Sequence, residues 1–253
     1  MEYITSVKNE KIKEIKKLAN AKGRRQQQRY LIEGEHLVHE ALINDIVIEE
    51  LLVTENFLNH DEHHLVKQLY DRCVQIGDSV AKHLSATVTP QGIFAVVALP
   101  PTDPNIDYQG KWLLLDRIQD PGNVGTMIRT ADAAGYQGVI LSKDSADLFA
   151  PKVQRSMQGS QFHLQLLTAD LQKIITSFKQ NRVTVYGTLV NEQARDYHQV
   201  QAPKNLALIM GNEAQGMNNN LAQLADENLY IPLIGQAESL NVAIAAGILM
   251  FNL

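Results

Sequence analysis

A single cysteine, Cys73, occurs in 253 residues. That excludes an intramolecular disulfide framework and a multi-cysteine metal site, and it makes a reducing cytoplasm the expected compartment. Long apolar runs are also missing. The longest, "LNVAIAAGILMFNL", is too short to span a bilayer and contains Asn241 and Asn252, so no membrane association is expected. The opening "MEYITSVKNEK" lacks the apolar stretch of a signal peptide. No G-x-G-x-x-G fingerprint, P-loop ending or G-x-S-x-G elbow occurs, which argues against a dehydrogenase, a P-loop nucleotidase and a serine hydrolase. "HDEHH" at 60–64 has no cysteines beside it and reads as a solvated helix face, so no metal is expected.

Charge is present but unevenly spread. The chain nets −5, yet residues 1–30 carry nine basic side chains against three acidic ones, a local +6 that leaves −11 for the rest. A basic segment on an acidic body points to a local polyanion contact, with a solvated helix face as the plainer alternative.

Residues 6–21 show helical periodicity, with Ser6 as the expected cap and Ile12, Ile15, Leu18 and Ala19 on one face. Short strands and helices then alternate through "GIFAVVAL", giving a small N-terminal α/β domain over 1–99. Residues 100–110, with three prolines and no periodicity, read as a linker. A second α/β alternation fills 111–253, and its very apolar strands imply a largely parallel sheet covered on both faces.

Ligands of open α/β sheets sit beyond the carboxyl ends of the strands, and four such ends carry unusual residues. "DPGNVG" follows "LLLD", "TLV" follows "VTVYG", "GNEAQG" follows "NLALIM", and "IGQAESLN" follows "LYIPL". With a helix expected over 125–134, Asn123 reads as its cap, and Arg129 falls near the helix start, where the dipole disfavours a cation. Glu213 reads locally as a surface carboxylate and Ser239 as an ordinary cap, while Asn241 is a poor helix former in the first turn. Each loop alone is weak evidence, but all four meet at one end of one sheet.

"DPGNVGTMIRTADAAG", "IMGNEAQGM" and "IPLIGQAESLNVAIAAG" resemble, in order, the three motifs of the SpoU (TrmH-type) branch of the SPOUT RNA methyltransferases. "SVKNEKIKEIKKL", "YLIEGEHLVHEAL" and "SATVTPQGIFAVV" are similar to that family's N-terminal RNA substrate-binding domain, so the resemblance spans nearly the whole chain. It implies a C-terminal α/β trefoil-knot domain beside a smaller N-terminal α/β RNA-binding domain. It also implies a homodimer, S-adenosylmethionine as cofactor and a ribose 2′-hydroxyl as methyl acceptor. Fold rules alone argue against a knot.

By resemblance, Thr188, Leu189, Gly211, Asn212, Ile231 and Leu240 hold the cofactor, with Ile231 and Leu240 flanking adenine. For these two aliphatic residues core packing is an equally good local reading. Asn123, Arg129, Glu213, Ser239 and Asn241 form the implied catalytic set. A guanidinium is a poor base near neutrality, so Arg129 reads better as a clamp on the target nucleotide's phosphate or hydroxyl. Lys13, Lys16, Arg24, Arg25 and Arg29 are the expected phosphate contacts, which position RNA without reading its sequence. Ala243 stands where the family often has Ser, so a hydroxyl is missing there. By analogy with the family, a separate N-terminal domain implies ribosomal RNA, 23S above all, with tRNA as the alternative substrate. The rival reading is a non-catalytic RNA-binding or ribosome-assembly protein that keeps the fold.

Overall fold

The computed structural model describes residues 1–101, 106–190 and 194–253. Of the expected linker, 102–105 lie outside these. The chain forms two compact units, one from Met1–Pro101 with Phe149–Phe162, the other from Thr102–Leu148 with His163–Leu253. The segment 149–162, expected in the C-terminal domain, therefore packs with the first unit.

The first unit contains β1 (Glu2–Ile4), α1 (Glu10–Lys17), α2 (Ala21–Gln27), β2 (Arg29–Glu33), α3 (Glu35–Ile43), β3 (Ile48–Val53), α4 (Glu55–Leu58), α5 (Leu65–Gln68), β4 (Cys73–Ile76), α6 (Asp78–Leu84) and β5 (Ile93–Ala98). Its five strands lie in the order β1-β4-β3-β5-β2, with β5 antiparallel to both neighbours. Period-two alternation divides the core. Ile93, Ala95 and Val97 join α3 on one face, while Phe94 and Val96 join α1 and α6 on the other. The expected helix over 6–21 is instead α1 followed by a separate α2, because Asn9 and Asn20 each cap a new start through a side-chain oxygen.

The second unit contains β6 (Lys111–Leu115), α7 (Pro121–Ala133) and β7 (Gly138–Ser142) before the excursion that holds α8 (Pro151–Met157) in the first unit. It resumes with β8 (Gln165–Ala169), α9 (Leu171–Gln180), β9 (Thr184–Thr188), β10 (Arg195–Asp196), β11 (Leu206–Met210), α10 (Asn219–Leu224), β12 (Glu227–Tyr230) and α11 (Val242–Asn252). Seven strands pair in the order β10-β12-β9-β11-β6-β7-β8, every pair parallel. The chain leaves β6 for β7 and β8 on one side, crosses to β9, and β11 then returns to fill the slot between β9 and β6. Leu113, Leu114, Ile140, Leu208 and Ile209 are fully buried, as strands covered on both faces require. Trp112 and Ile140 pack with Ile175 and Phe178 of α9, while α7 and α11 pack on each other and on β7 and β11. Among the described residues no helix is long and apolar enough to cross a membrane.

Candidate active site

The carboxyl ends of β9, β11 and β12 converge, and their loops, with α11, line a cavity of about 540 Å³. Thr188, Leu189, Gly211, Asn212, Ile231 and Leu240 all line it, as do Glu213, Glu238 and Ser239.

The β11 loop is closed on itself. Asn212 and Gly216 exchange backbone hydrogen bonds at 3.1 and 2.9 Å, and Asn212 Oδ1 accepts from the Ala214 and Gln215 amides, both at 3.0 Å. Asn212 Nδ2 donates to the Arg117 carbonyl at 2.7 Å. Asn212 thus shapes the wall through a side chain already spent on the turn. Gly211 is required by the same closure, since a Cβ there would fall 2.2 Å from the Met217 amide nitrogen. Sequence reasoning reserved that space for a ligand, but the loop's own backbone fills it. Thr188 Oγ1 donates to the Ile209 carbonyl at 2.9 Å, so its hydroxyl also serves the scaffold.

Two expectations about the helices fail in an informative way. α7 starts at Pro121, with Asp120 as the N-cap, its carboxylate accepting from the Asn123 amide at 2.9 Å. Proline suits the first helical position, where a missing N–H costs nothing, so the helix begins four residues before the expected 125. Asn123 is therefore not the cap, and its side chain is free for other partners. Similarly Asn241, not Ser239, caps α11, accepting from the Ala243 and Ile244 amides at 2.9 and 3.3 Å.

Relieved of capping, Asn123 joins the loops. Its Nδ2 donates to Glu213 Oε1 at 3.0 Å, and its Oδ1 accepts from Asn241 Nδ2 at 3.2 Å. Glu213 Oε1 also accepts from the Asp120 amide at 3.4 Å. Three residues 90 and 118 positions apart from one another in sequence thereby form one chain of hydrogen bonds at the cavity's edge.

Arg129 is not part of that chain. It is exposed, the ninth residue of α7, and its side chain forms no hydrogen bond or ion pair with any other described residue. Six positions past Asn123, it lies about 9 Å farther along the helix and about 240° around it. At that depth the dipole penalty expected from the sequence does not apply, because the effect falls off within the first turn.

The basic N-terminus is largely committed within the first unit. Lys13 pairs with Glu10 at 2.6 Å, Arg29 with Glu49 at 3.3 Å, and Lys16 Nζ donates to the His83 carbonyl. Arg24 is 3% exposed and donates to the Leu18 carbonyl at 2.7 Å, so it is a structural residue and not a surface phosphate contact. Arg25 is exposed with no side-chain partner among the described residues.

Sequence reasoning missed Asp116 and Arg117. Asp116 is 3% exposed at the end of β6, where Asn218 donates its amide to Oδ2 at 2.8 Å. Arg117, at φ 55°, folds back onto that carboxylate and reaches Gln215 Oε1 at 2.9 Å and the Gly216 carbonyl at 3.1 Å. The only signal in the sequence is an acidic residue closing an apolar strand.

Residues 111–251 match the family model described as SpoU rRNA Methylase, and residues 9–95 match the MRM3-like substrate binding domain. The 23S rRNA (guanosine(2553)-2′-O)-methyltransferase RlmP of Bacillus subtilis is 42% identical over 255 residues, covering 100% of this chain and 99% of that protein. The AdoMet-bound rRNA methyltransferase from Sinorhizobium meliloti superposes with a TM-score of 0.88 at 30% identity, covering 99% of this chain and 96% of the other. The SpoU methyltransferase AviRb from Streptomyces viridochromogenes, in complex with AdoMet, gives 0.85 at 26% identity, with 97% of each chain covered.

Proposed function

The chain belongs to the SpoU rRNA methylase family, and from that premise we propose that its target is a ribose 2′-hydroxyl of 23S ribosomal RNA. It is an S-adenosylmethionine-dependent RNA methyltransferase. The carrying observation is the Asn123–Glu213–Asn241 chain beside a cavity of about 540 Å³, a volume ordinary for a small-molecule site.

The cavity suits the cofactor. Its walls mix aliphatic and polar groups, and no Lys, Arg or His lines it among the described residues, as expected for a ligand with an adenosine body and no phosphate. Ile231 and Leu240 would flank the adenine, with Thr188, Leu189, Gly211 and Asn212 framing the rest. When bound, S-adenosylmethionine supplies an electrophilic methyl on a sulfonium. The acceptor hydroxyl must lose its proton, so the protein's task is to hold that hydroxyl and stabilise its developing charge. Asn123, Glu213, Ser239 and Asn241 orient it, and Arg129 clamps the target nucleotide's phosphate or 2′-oxygen.

Arg129 lies outside the hydrogen-bonded chain within one subunit, and a homodimer accounts for that. α11 exposes Ile244 (56%) and Phe251 (64%), and α7, its packing partner, carries Arg129 next to Thr130, which faces Gly247 of α11. Pairing of two copies through this apolar surface buries the exposed side chains and brings Arg129 to a shared interface. Phosphates of the RNA fall to Arg25, Lys13, Lys16 and Arg29 of the first unit, in a protein that works in the cytoplasm.

The test is a map of 2′-O-methylation in 23S rRNA from a strain lacking the gene. The counterpart of the guanosine that the Bacillus relative methylates is the first position to inspect. Loss of one methyl mark, restored by wild type but not by Arg129→Ala, is the expected result. An unchanged map overturns the target. An Arg129→Ala protein with less than about tenfold lower turnover overturns the residue's role.

A further inference from the structure

We propose that Glu238 reads the charge of the cofactor, holding the sulfonium form in preference to the spent thioether. The inference rests on the S-adenosylmethionine reading of the cavity and deepens it.

Two carboxylates line the cavity, Glu213 and Glu238, with no cationic side chain among the described lining residues. They differ in how they are held. Glu213 is engaged through Oε1 with Asn123 and with the Asp120 amide. Glu238 is exposed, has no hydrogen bond or ion pair to any described residue, and sits immediately before Ser239 on the loop between β12 and α11.

A carboxylate left without a partner at a cavity wall discriminates between ligands that differ in charge and little else. S-adenosylmethionine carries a sulfonium and an ammonium against one carboxylate, a net +1. Methyl transfer forms the ribose O–CH₃ bond and breaks the S–CH₃ bond. The sulfur becomes a neutral thioether, and the positive charge departs as the proton released from the 2′-hydroxyl. The product S-adenosylhomocysteine is therefore neutral overall and almost the same shape. A hydrophobic wall cannot tell the two apart beyond one methyl group, whereas a negative wall can. The neutral product is then held less tightly than incoming cofactor, which favours exchange after each turnover.

The experiment is isothermal titration of the intact protein with S-adenosylmethionine and, separately, S-adenosylhomocysteine, comparing wild type, Glu238→Gln and Glu238→Asp. Glu238→Gln should weaken S-adenosylmethionine about three- to fivefold, the upper range for one solvent-exposed charge pair, and leave S-adenosylhomocysteine within about twofold. Glu238→Asp should retain most of the preference, and added salt should erode it in wild type but not in Glu238→Gln. Equal weakening of both ligands in Glu238→Gln, or no change in either, overturns the inference while leaving the cofactor site standing. A folded wild-type protein that binds neither ligand overturns the cofactor reading and this inference with it.

Discussion

The Arg117 guanidinium lies 3.1 Å from the carboxylate of its own sequence neighbour, Asp116. Adjacent side chains meet this way because Arg117 takes the left-handed backbone conformation, turning its side chain back over the strand end. The pair anchors the β11 loop through Gln215 and Gly216, so Arg117→Ala should both destabilise the fold and, by loosening that loop, raise KM for S-adenosylmethionine. Asp116, with 5% of its side chain exposed, is left without a counter-charge, at a cost of about 2–4 kcal/mol, less than for a fully buried pair because Arg117 is 26% exposed. Urea unfolding measures that loss. Arg117→Lys restores charge without the planar fork, so stability should partly return while KM for S-adenosylmethionine stays raised. A lysine variant with wild-type KM would show that the loop does not depend on the clamp.

Asn123 and Asp120 separate chemistry from capping. Asp120→Ala removes the N-cap of α7 and should cost about 1 kcal/mol. Asn123→Ala leaves the cap in place and removes the links to Glu213 and Asn241. Its melting temperature should shift by less than about 3 °C while turnover falls at least about tenfold. Thermal melts and single-turnover kinetics on the two variants distinguish the roles, and an active Asn123→Ala protein would exclude Asn123 from the site.

Much of this arrangement is legible in the sequence because apolar runs are local. β6, β7, β9 and β11 fall where "WLLLD", "GVIL", "VTVYGTLV" and "NLALIM" place them, and the six expected cofactor residues all line one cavity. The errors concern which polar side chain satisfies which backbone group. Asp120 and Asn123 both suit a cap, as do Ser239 and Asn241, and only the helix start decides between them. The fate of Arg24 was hidden for a related reason. A cation in a basic run looks solvated until the fold shows the Leu18 carbonyl that receives it. The excursion 149–162 into the first unit was not legible, since the periodicity of a short helix marks a buried face and not the partner that covers it. A knot depends on how the chain is threaded, and no residue pattern encodes threading.

Arg24 and Arg25, adjacent in α2, should respond oppositely. Arg24→Ala leaves the Leu18 carbonyl without its buried donor, costing about 1–3 kcal/mol with little direct effect on RNA. Arg25→Ala should leave unfolding unchanged and weaken RNA binding, reducing the slope of log K against log salt by about one. Filter binding across a salt series together with urea melts checks both, and a salt slope altered by Arg24→Ala alone would reverse the assignment.

Cys73 is 5% exposed, and burial pushes its thiol up to about 11. Thiolate is the reactive form, so Cys73 should label far more slowly in the native protein than in urea at pH 8. The sign of the linkage follows. The unfolded thiol ionises near 9, the folded one near 11, so the folded state keeps its proton across that interval. This contribution to stability is complete below pH 9 and declines as pH rises from 9 to 11. Cys73→Ala should flatten that part of the stability–pH curve, and an unchanged slope would locate the alkaline sensitivity elsewhere.

Gly211 and Gly216, at the two ends of one loop, are glycines for different reasons. At Gly211 a Cβ would lie 2.2 Å from the Met217 amide nitrogen and 2.5 Å from the Gly216 carbonyl carbon, and neither backbone atom can move aside cheaply. At Gly216 nothing lies within 4 Å of a built Cβ, but φ is +68°, so alanine costs only the strain of the left-handed region, about 1–2 kcal/mol. Gly211→Ala should therefore open the loop, release Asn212 from Arg117 and abolish cofactor binding. Gly216→Ala should be mildly destabilised and still bind. Titration of S-adenosylmethionine into each variant, with a melt to confirm folding, decides the matter. Equal binding by both would mean that the cavity wall tolerates a displaced β11 loop, and the cofactor would then depend on the β9 and β12 loops alone.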